Sequence, residues 1–330
     1  MADNCLRSNW QVAESEAMRL GFGRGLLAAG RTDARVVVLS ADLMESVGFG
    51  AFAAEFGSPR TIEVGVAEQH LVTMASGLAA MGAVPFAGSY AAFSPGRNWE
   101  QIRTTICLND RPVKLVGSHA GLNVGPDGAT HQMLEDIALM RALPNMVVLA
   151  PGDAHEAELM VAAMVADQRP NYVRLPREAT PLFLAHQSFT IGKGYVLREG
   201  NDVALIGTGT MTYQLLRAAE QLAASGVQAA VLHLPTIKPL DEAAVLQAAE
   251  ICGRVVVAEE AQIAGGLGGA VAELLGERLP LPLLRLGVRD AFGESGAMAE
   301  LWHKHGLDVD SLAQSIHAFV ARVPAYRPGF

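Results

Sequence analysis

The sequence has little cysteine, little basic charge and no long apolar run, and each shortage excludes a class of protein. Its cysteines, Cys5, Cys107 and Cys252, lie far apart among 330 residues, so we expect neither a disulfide framework nor a CxxC metal or redox pair. The net charge of −9 offers no basic surface for nucleic acid. Charged residues interrupt each apolar stretch before the roughly 18 residues that a transmembrane helix needs, and the N-terminus lacks a signal-peptide pattern. We therefore expect a protein of the reducing cytoplasm that binds neither membrane nor nucleic acid.

Apolar residues and glycine are abundant, and their arrangement indicates the fold class. Hydrophobic residues make up 50% of the chain and 34 residues are glycine. At ~150 residues per domain, the length corresponds to about two domains. Short β-branched runs alternate with segments rich in Ala, Leu and Met, so the sequence predicts an α/β protein with two doubly wound, mostly parallel sheets. The predicted strands are 35–40, 61–65, 84–88, 113–117, 146–150, 172–175, 203–207, 229–234, 254–258 and 283–287.

A pause in this alternation marks the expected domain boundary. The segment 181–201 reads as a lone strand or a linker, whereas strands and helices alternate regularly on both sides of it. We therefore expect a first domain over residues 1–185, a linker over 186–200 and a second domain over 201–330.

Polar clusters follow three of the predicted strands, at the ends where open α/β sheets bind their ligands. Asp42 and Ser46 follow the first strand, and either side chain also suits a helix cap. Glu68 precedes an apolar stripe that predicts a helix over 71–81, where a glutamate often only complements the helix dipole. Taken alone, both clusters favour structural roles. In 118–132, by contrast, glycines crowd a loop in which two histidines flank an aspartate, a composition that favours ligand binding over packing.

Taken together, these clusters match a known family. The motifs GVAEQHLVTMASGLAAMG, SADLMES, FSPGRNWEQIR and GPDGATHQMLEDIALMRALPNMVVLAPGD closely resemble the pyrimidine-binding and C-terminal domains of the transketolase family. The resemblance covers nearly the whole chain from about residue 15 onward, and the combination of GxAEQH with DGATHQ is highly specific. The sequence is most similar to the small subunit of split, two-chain transketolases.

The resemblance implies thiamine diphosphate as cofactor and assigns residues to it. Glu68 matches the catalytic glutamate that hydrogen-bonds a pyrimidine ring nitrogen and so activates the cofactor. Phe93 matches the aromatic side chain that stacks on the pyrimidine, and Asp42 matches an aspartate near the cofactor. Tyr90 stands in the aromatic wall where the family usually has Phe, and Gly96 stands where single-chain members carry an aromatic residue. These two departures leave the donor and acceptor sugars open.

The resemblance also implies the reaction, in which a two-carbon ketol unit passes from a ketose phosphate to an aldose phosphate. His119, Asp127 and His131 match family residues that bind sugar hydroxyls. The two histidines are also expected to help move protons, a task that suits imidazole near neutral pH. Transfer between such sugars would place the protein in carbohydrate metabolism of the pentose phosphate type.

The phosphate end of the substrate has its own matching residues. Arg19, Ser46 and Arg177 match the family positions that hold the terminal phosphate, for which the fork of an arginine is well shaped. Arg174 is the alternative to Arg177 if the register of YVRLPRE differs by a turn.

A family motif that is missing predicts a partner. Thiamine diphosphate enzymes hold the diphosphate through Mg²⁺ (or Ca²⁺) with a GDG…N motif on a separate domain. The GDG triplet does not occur in this sequence, so no metal ligands are expected from this chain. We expect an N-terminal transketolase subunit to supply the metal and diphosphate site, with an active site between the chains and an α2β2 assembly.

Three other interpretations remain open. Beta subunits of 2-oxo-acid dehydrogenases share this length and domain pair but lack the DGATHQ loop. Proteins similar to 1-deoxyxylulose-5-phosphate synthase have comparable motifs but are normally one long chain. An inactive regulatory subunit could keep the fold, although the presence of Glu68, His119, Asp127 and His131 together argues against it.

Overall fold

Parallel strands flanked by helices account for most of the chain. The computed structural model describes residues 5–326, so the outermost four residues of each expected domain lie outside it. The strands are β1 (Ser15–Ala17), β2 (Val36–Ser40), β3 (Thr61–Glu63), β4 (Val84–Tyr90), β5 (Lys114–Ser118), β6 (Val147–Leu149), β7 (Asn171–Arg174), β8 (Ala179–Pro181), β9 (Tyr195–Arg198), β10 (Val203–Gly207), β11 (Ala229–His233), β12 (Thr236–Lys238), β13 (Val255–Gln262) and β14 (Leu283–Val288).

Helices connect most of these strands. They are α1 (Met18–Thr32), α2 (Gly50–Phe56), α3 (Glu68–Ala80), α4 (Trp99–Gln101), α5 (Asp136–Arg141), α6 (Ala154–Ala166), α7 (Met211–Ala224), α8 (Glu242–Cys252), α9 (Leu267–Arg278), α10 (Met298–Lys304) and α11 (Val309–Arg322). A π-helical segment, Ile102–Cys107, continues α4. Within the described range, none of these helices combines the length and the apolar character that crossing a membrane requires.

Apart from the antiparallel pair β1-β8, the strands form two large sheets, each with one antiparallel strand at its edge. The first sheet has the order β12-β6-β7-β5-β4-β2-β3, in which β12 runs antiparallel to β6. The second has the order β14-β13-β10-β11-β9, in which β9 runs antiparallel to β11. The remaining pairs in both sheets are parallel. The predicted α/β fold with mostly parallel, doubly wound sheets is confirmed.

The predicted strands correspond to β2–β7, β10, β11, β13 and β14. The unbroken apolar run of β10 reflects burial on both faces of the sheet, and every residue of β5 is buried as well, although β5 contains Lys114. The largest difference in length is in β13, which continues for four residues beyond the predicted end, to Gln262, and three of these four are polar. The sequence did not predict β1, β8 and β12, because a strand of three residues is too short to show a pattern.

Both halves of the chain contribute residues to the first sheet and to one apolar core. Strand β12 lies in the second half of the sequence but completes the first sheet through β6. One continuous apolar core also joins the two sheets, and it contains Leu71 and Leu115 from the first half and Ile206 and Val257 from the second. The segment 186–200, expected as a linker, contains β9 and so belongs in part to the second sheet.

A buried carboxylate on α6 also connects the halves. Glu156 is fully buried, and its two oxygens accept hydrogen bonds from Nε2 of His186 at 3.0 Å and Nε2 of His233 at 2.8 Å. The backbone N–H of Gly152 donates to the same carboxylate at 2.7 Å. Burial raises the pKa of Glu156, but the two histidines outweigh this effect and lower it to about 2. The charged group is therefore retained because it is fully hydrogen-bonded.

Substitution of Glu156 tests this connection. Glu156→Ala is predicted to lower the free energy of unfolding by roughly 3–5 kcal/mol, because it leaves buried imidazole N–H groups without an acceptor. Urea denaturation followed by circular dichroism measures the change. The matched control is Glu158→Ala on the same helix: that side chain is 38% exposed and pairs with Arg24, so a loss below about 1 kcal/mol is expected. Equal losses for the two variants would contradict this role.

Candidate active site

The carboxyl ends of neighbouring parallel strands bring the polar clusters to one edge of the first sheet. Strands β3, β2, β4 and β5 lie side by side, with Ser40 paired to Glu63 and to Gly88, and Tyr90 paired to Ser118. The segments that follow these strands carry most of the predicted residues, whereas Arg19 lies on α1 and Arg177 follows β7. This edge is where open α/β sheets bind their ligands.

Glu68 presents a buried carboxylate at the start of α3. The residue is 2% exposed, and its Oε2 accepts a hydrogen bond from Nη1 of Arg97 at 2.7 Å. The Arg97 guanidinium is half-exposed and lies 4.9 Å from the centre of the Phe93 ring, a cation–π distance. Nδ2 of Asn98 donates to the backbone oxygen of Glu68 at 2.8 Å. The loop after β4 therefore holds both the carboxylate and the aromatic ring beside it.

Flat rings line the site between this carboxylate and the glycine-rich loop. The rings of Tyr90 and His119 are stacked with centres 4.0 Å apart. Phe93 meets the edge of His131 at 5.3 Å, and its ring lies 6.3 Å from that of Tyr90. The structure thus brings together four predicted residues from two separate segments, the end of β4 with its following loop and the glycine-rich loop. Such faces can stack on a planar ring of a ligand.

His119 has an unusual backbone conformation and a lowered pKa. Its φ is +53°, in the left-handed region that non-glycine residues rarely adopt. Its Nδ1 lies 2.9 Å from Oγ of Ser118. Burial, reinforced by the nearby Arg19 and Arg177, lowers the pKa of His119 to about 4. The ring is therefore neutral at pH 7 and can both donate and accept a hydrogen bond.

Two arginines form a cationic end to the site. Nη1 of Arg177 donates to the backbone oxygen of Val124 at 2.7 Å and lies 3.1 Å from Oδ1 of Asp127. Nη1 of Arg19 donates to the backbone oxygen of Arg177 at 2.7 Å. Both arginine side chains remain partly accessible. These two guanidinium groups are donors that can bind an anionic group.

Arg174 is placed differently from Arg177. Its Nε donates to the buried carboxylate of Asp136 at 3.0 Å, and Tyr172 donates to the same carboxylate at 2.7 Å. Its Nη2 donates to the backbone oxygen of Glu260 at 2.7 Å. Both Nε and Nη2 of Arg174 are therefore hydrogen-bonded to groups in the protein interior. Arg177, by contrast, lies beyond the end of β7 and contacts Asp127.

Asp42 and Ser46 lie at the same edge with fewer links to the rings. Asp42 is exposed with φ +62°, and its N–H donates to Oε1 of Glu63 at 2.5 Å. The backbone oxygen of Ser46 accepts a hydrogen bond from Oγ of Ser118 at 3.4 Å. Ser46 thus borders the His119 segment, while the described hydrogen bonds of Asp42 lead to the end of β3.

Models of known families identify the chain. A model described as "Transketolase, pyrimidine binding domain" matches residues 14–181, and one described as "Transketolase, C-terminal domain" matches residues 192–312. The chain belongs to the transketolase family. Members of this family use thiamine diphosphate.

Several relatives of this transketolase family chain are of similar length. A putative transketolase C-terminal section from Methanocaldococcus jannaschii is 43% identical, covering 91% of this chain and 95% of the relative. The 6-deoxy-6-sulfo-D-fructose transketolase subunit SqwH of Clostridium sp. is 41% identical, covering 90% and 92%. A solved structure described as a split gene transketolase, inactive beta4 tetramer, is 39% identical with a TM-score of 0.86, covering 92% of this chain and 98% of that one.

Longer proteins match as well. The 1-deoxy-D-xylulose-5-phosphate synthase of Thermomicrobium roseum is 39% identical over 91% of this chain, which spans 48% of that protein. This transketolase family chain therefore corresponds to about half of that longer relative.

The sequence analysis missed Arg97, which contacts Glu68, and Glu260, whose backbone oxygen accepts a hydrogen bond from Arg174. Arg97 lies within the quoted motif FSPGRNWEQIR, and the signal was a lone arginine between Phe93 and the start of α4. Glu260 is one of two consecutive glutamates at the end of an apolar run. Glutamates in such a position indicate buried carboxylates with hydrogen-bonding partners. Among residues 5–326, no group of three or more His, Cys, Asp or Glu side chains is arranged to hold a metal ion.

The charge state of His119 is directly measurable. In an NMR titration of the ring nitrogens, His119 is predicted to stay neutral down to about pH 5 and to titrate near the value of about 4. Loss of one signal in His119→Gln assigns the resonance. A midpoint near the ordinary value of 6.5 would show that the ring is not buried against the two arginines.

Proposed function

We propose that this chain is the C-terminal subunit of a two-chain, thiamine diphosphate-dependent transketolase that transfers a two-carbon ketol unit between sugars. The observation that carries the proposal is the juxtaposition of a buried carboxylate, flat ring faces and a cationic end at one sheet edge. Glu68, the Tyr90–Phe93 wall and the Arg19–Arg177 pair provide these three features.

The site fits the pyrimidine half of the proposed cofactor. Glu68 is buried, and among the described residues Arg97 is the one hydrogen-bonding partner of its carboxylate. That arrangement leaves the second carboxylate oxygen for a ring nitrogen. Phe93 and Tyr90 offer flat faces to the ring. Bound thiamine diphosphate would supply a nucleophilic carbon, and Glu68 would set the protonation of the pyrimidine through its hydrogen bond.

The histidines and Asp127 fit a polyhydroxylated substrate. A neutral His119 can donate a hydrogen bond to one hydroxyl or accept one from it without bringing a charge. His131, whose Nδ1 lies 2.9 Å from Oγ1 of Thr130, faces the Phe93 ring from the loop that carries Asp127. These residues would bind sugar hydroxyls and move protons to and from the sugar during transfer.

Arg177 and Arg19 would hold the terminal anion of the sugar. Arg177 is favoured over Arg174, because Arg174 is committed to Asp136 inside the protein. The anion can be a phosphate or a sulfonate, since both present oxygens that an arginine fork binds. The relative named for 6-deoxy-6-sulfo-D-fructose makes a sulfonated donor a specific option.

A second chain would complete the enzyme. The relatives include a protein named as a C-terminal section and a split gene product described as an inactive beta4 tetramer. We propose that an N-terminal subunit supplies the ligands of Mg²⁺ (or Ca²⁺) and the diphosphate, in an α2β2 assembly. Within this chain, we place the pyrimidine-binding domain at 1–185 and the C-terminal domain at 201–330, joined through 186–200.

Reconstitution with the partner chain tests the proposal. We expect transfer from xylulose 5-phosphate to ribose 5-phosphate, or from 6-deoxy-6-sulfo-D-fructose, only when this chain is mixed with the N-terminal subunit. Calorimetric titration of thiamine diphosphate with Mg²⁺ is expected to show tight binding to the mixture and not to this chain alone. Tight binding or transfer by this chain alone would rule out the dependence on a partner.

A second candidate is half of a 1-deoxy-D-xylulose-5-phosphate synthase. It is favoured by the 39% identity to the Thermomicrobium roseum enzyme over 91% of this chain. The same mixtures distinguish the two candidates. When these mixtures are supplied with pyruvate and glyceraldehyde 3-phosphate, formation of 1-deoxy-D-xylulose 5-phosphate with release of CO2, and no ketol transfer from xylulose 5-phosphate, would favour the synthase.

Substitution of Glu68 is the most direct test of a single residue of the proposed site. In the reconstituted assembly, Glu68→Gln is predicted to lower kcat by at least about 100-fold, because an amide cannot exchange a proton with a ring nitrogen as a carboxyl group does. Size-exclusion chromatography is expected to show an unchanged assembly. Glu277→Gln, at an exposed position on α9, is the control and should retain activity. Near-normal turnover in Glu68→Gln would remove this residue from its proposed role.

A further inference from the structure

Residues of the second half of the chain hold the glycine-rich loop at 118–132, which we call the sugar loop. Nε2 of Gln132 donates to the backbone oxygen of Glu294 at 2.9 Å. Nδ2 of Asn123 contacts Sδ of Met298 at 3.0 Å. The sugar loop therefore contacts the C-terminal domain as well as the first sheet from which it emerges.

The most buried of these contacts is made by Glu260 on β13. The residue is 2% exposed, and its Oε1 accepts the backbone N–H of Asn123 at 2.6 Å. Its Oε2 accepts the hydroxyl of Thr210 at 2.8 Å, at the turn before α7. Gly121 makes room for it: φ is +83° there, and a Cβ would lie 2.8 Å from Oε1 of Glu260. The carboxylate of Glu260 can occupy this position because residue 121 has no side chain.

Asn123 connects Glu260 to the proposed substrate residues through the hydrogen bonds of its own turn. It lies in the short 3-10 turn Leu122–Asp127, and its Oδ1 accepts the backbone N–H of Glu178 at 2.6 Å. The next residue, Val124, accepts the hydrogen bond of Arg177. The same turn ends at Asp127, the ionic partner of Arg177. A displacement of Asn123 would therefore move both members of this pair.

We propose that Glu260 is a positioning residue of the active site, through which the C-terminal domain sets the conformation of the sugar loop. The carboxylate fixes the Asn123 amide, and the turn then presents Asp127 and Arg177 to the terminal part of the sugar. The inference deepens the proposed function and rests on it for the identity of the ligand. The position of the loop itself is testable without any activity.

Glu259 is a matched control for Glu260. The two residues are neighbours on β13, and both are almost fully buried. Glu259 accepts the backbone N–H groups of Leu267 and Gly268 at 2.7 and 2.8 Å, at the start of α9. Its described hydrogen bonds do not reach the sugar loop. Substitution of Glu259 by alanine also removes a buried carboxylate, but the hydrogen bonds that are lost are at the start of α9 and not at Asn123.

The experiment compares Glu260→Ala with Glu259→Ala in the full chain and in the reconstituted assembly. Hydrogen exchange reports the loop, and we expect exchange of the Asn123 amide to be about 10-fold faster in Glu260→Ala only. We also expect KM for the aldose phosphate to rise about 10-fold with a smaller change in kcat, since a misplaced binding loop weakens positioning. Glu260→Gln should restore much of both values, because its amide oxygen can still accept from Asn123.

Several outcomes would overturn the proposal. Equal loop exchange in the two alanine variants would show that Glu260 is only structural, and so would an unchanged KM in Glu260→Ala. If an alanine variant does not assemble, Glu260→Asp and Glu259→Asp carry the same comparison, since each carboxylate is then one methylene too short. If the wild-type assembly shows no ketol transfer, the proposed function fails, while the exchange comparison still decides whether Glu260 holds the loop.

Discussion

The parallel pairing of β2, β4 and β5 is the constraint on which the candidate site depends. Neighbouring strands lie about 4.8 Å apart, so residues at the same level of adjacent strands are close whatever their separation in sequence. Tyr90 is paired with Ser118 in the ladder, and His119 therefore reaches the Tyr90 ring. A shift of one residue in this register would turn every side chain of the shifted strand to the opposite face of the sheet and separate the rings.

Buried carboxylates determine how the rest of the chain is arranged around that edge. An ionised group is costly to bury without partners, and in this protein the partners come from distant segments. Arg97 pairs with Glu68, two histidines of the later chain pair with Glu156, and the Asn123 amide binds Glu260. Each contact is satisfied only in the complete fold. Two of these buried contacts join the halves of the chain, as does the strand β12 that crosses between them.

Much of this architecture could be predicted because buried parallel strands leave a strong signal in sequence. Runs such as VVVLS are apolar on both faces and could be located to within a few residues. The choice between Arg174 and Arg177 could not be made in the same way. Both lie in YVRLPRE, but β7 ends at Arg174, which keeps that side chain inside against Asp136, whereas Arg177 follows the end of the strand. Only the position of the strand end separates them.

The sequence by itself determined the fold class, the approximate strand positions and the transketolase family, since these follow from local patterns and from motifs of neighbouring residues. The tertiary structure decided which charged groups are buried together and which face the site. Arg97 meets Glu68 across a loop, and Glu260 meets Asn123 across 137 positions. No local pattern encodes such pairs, because they result from the packing of both sheets and from the requirement that every buried charge find a partner.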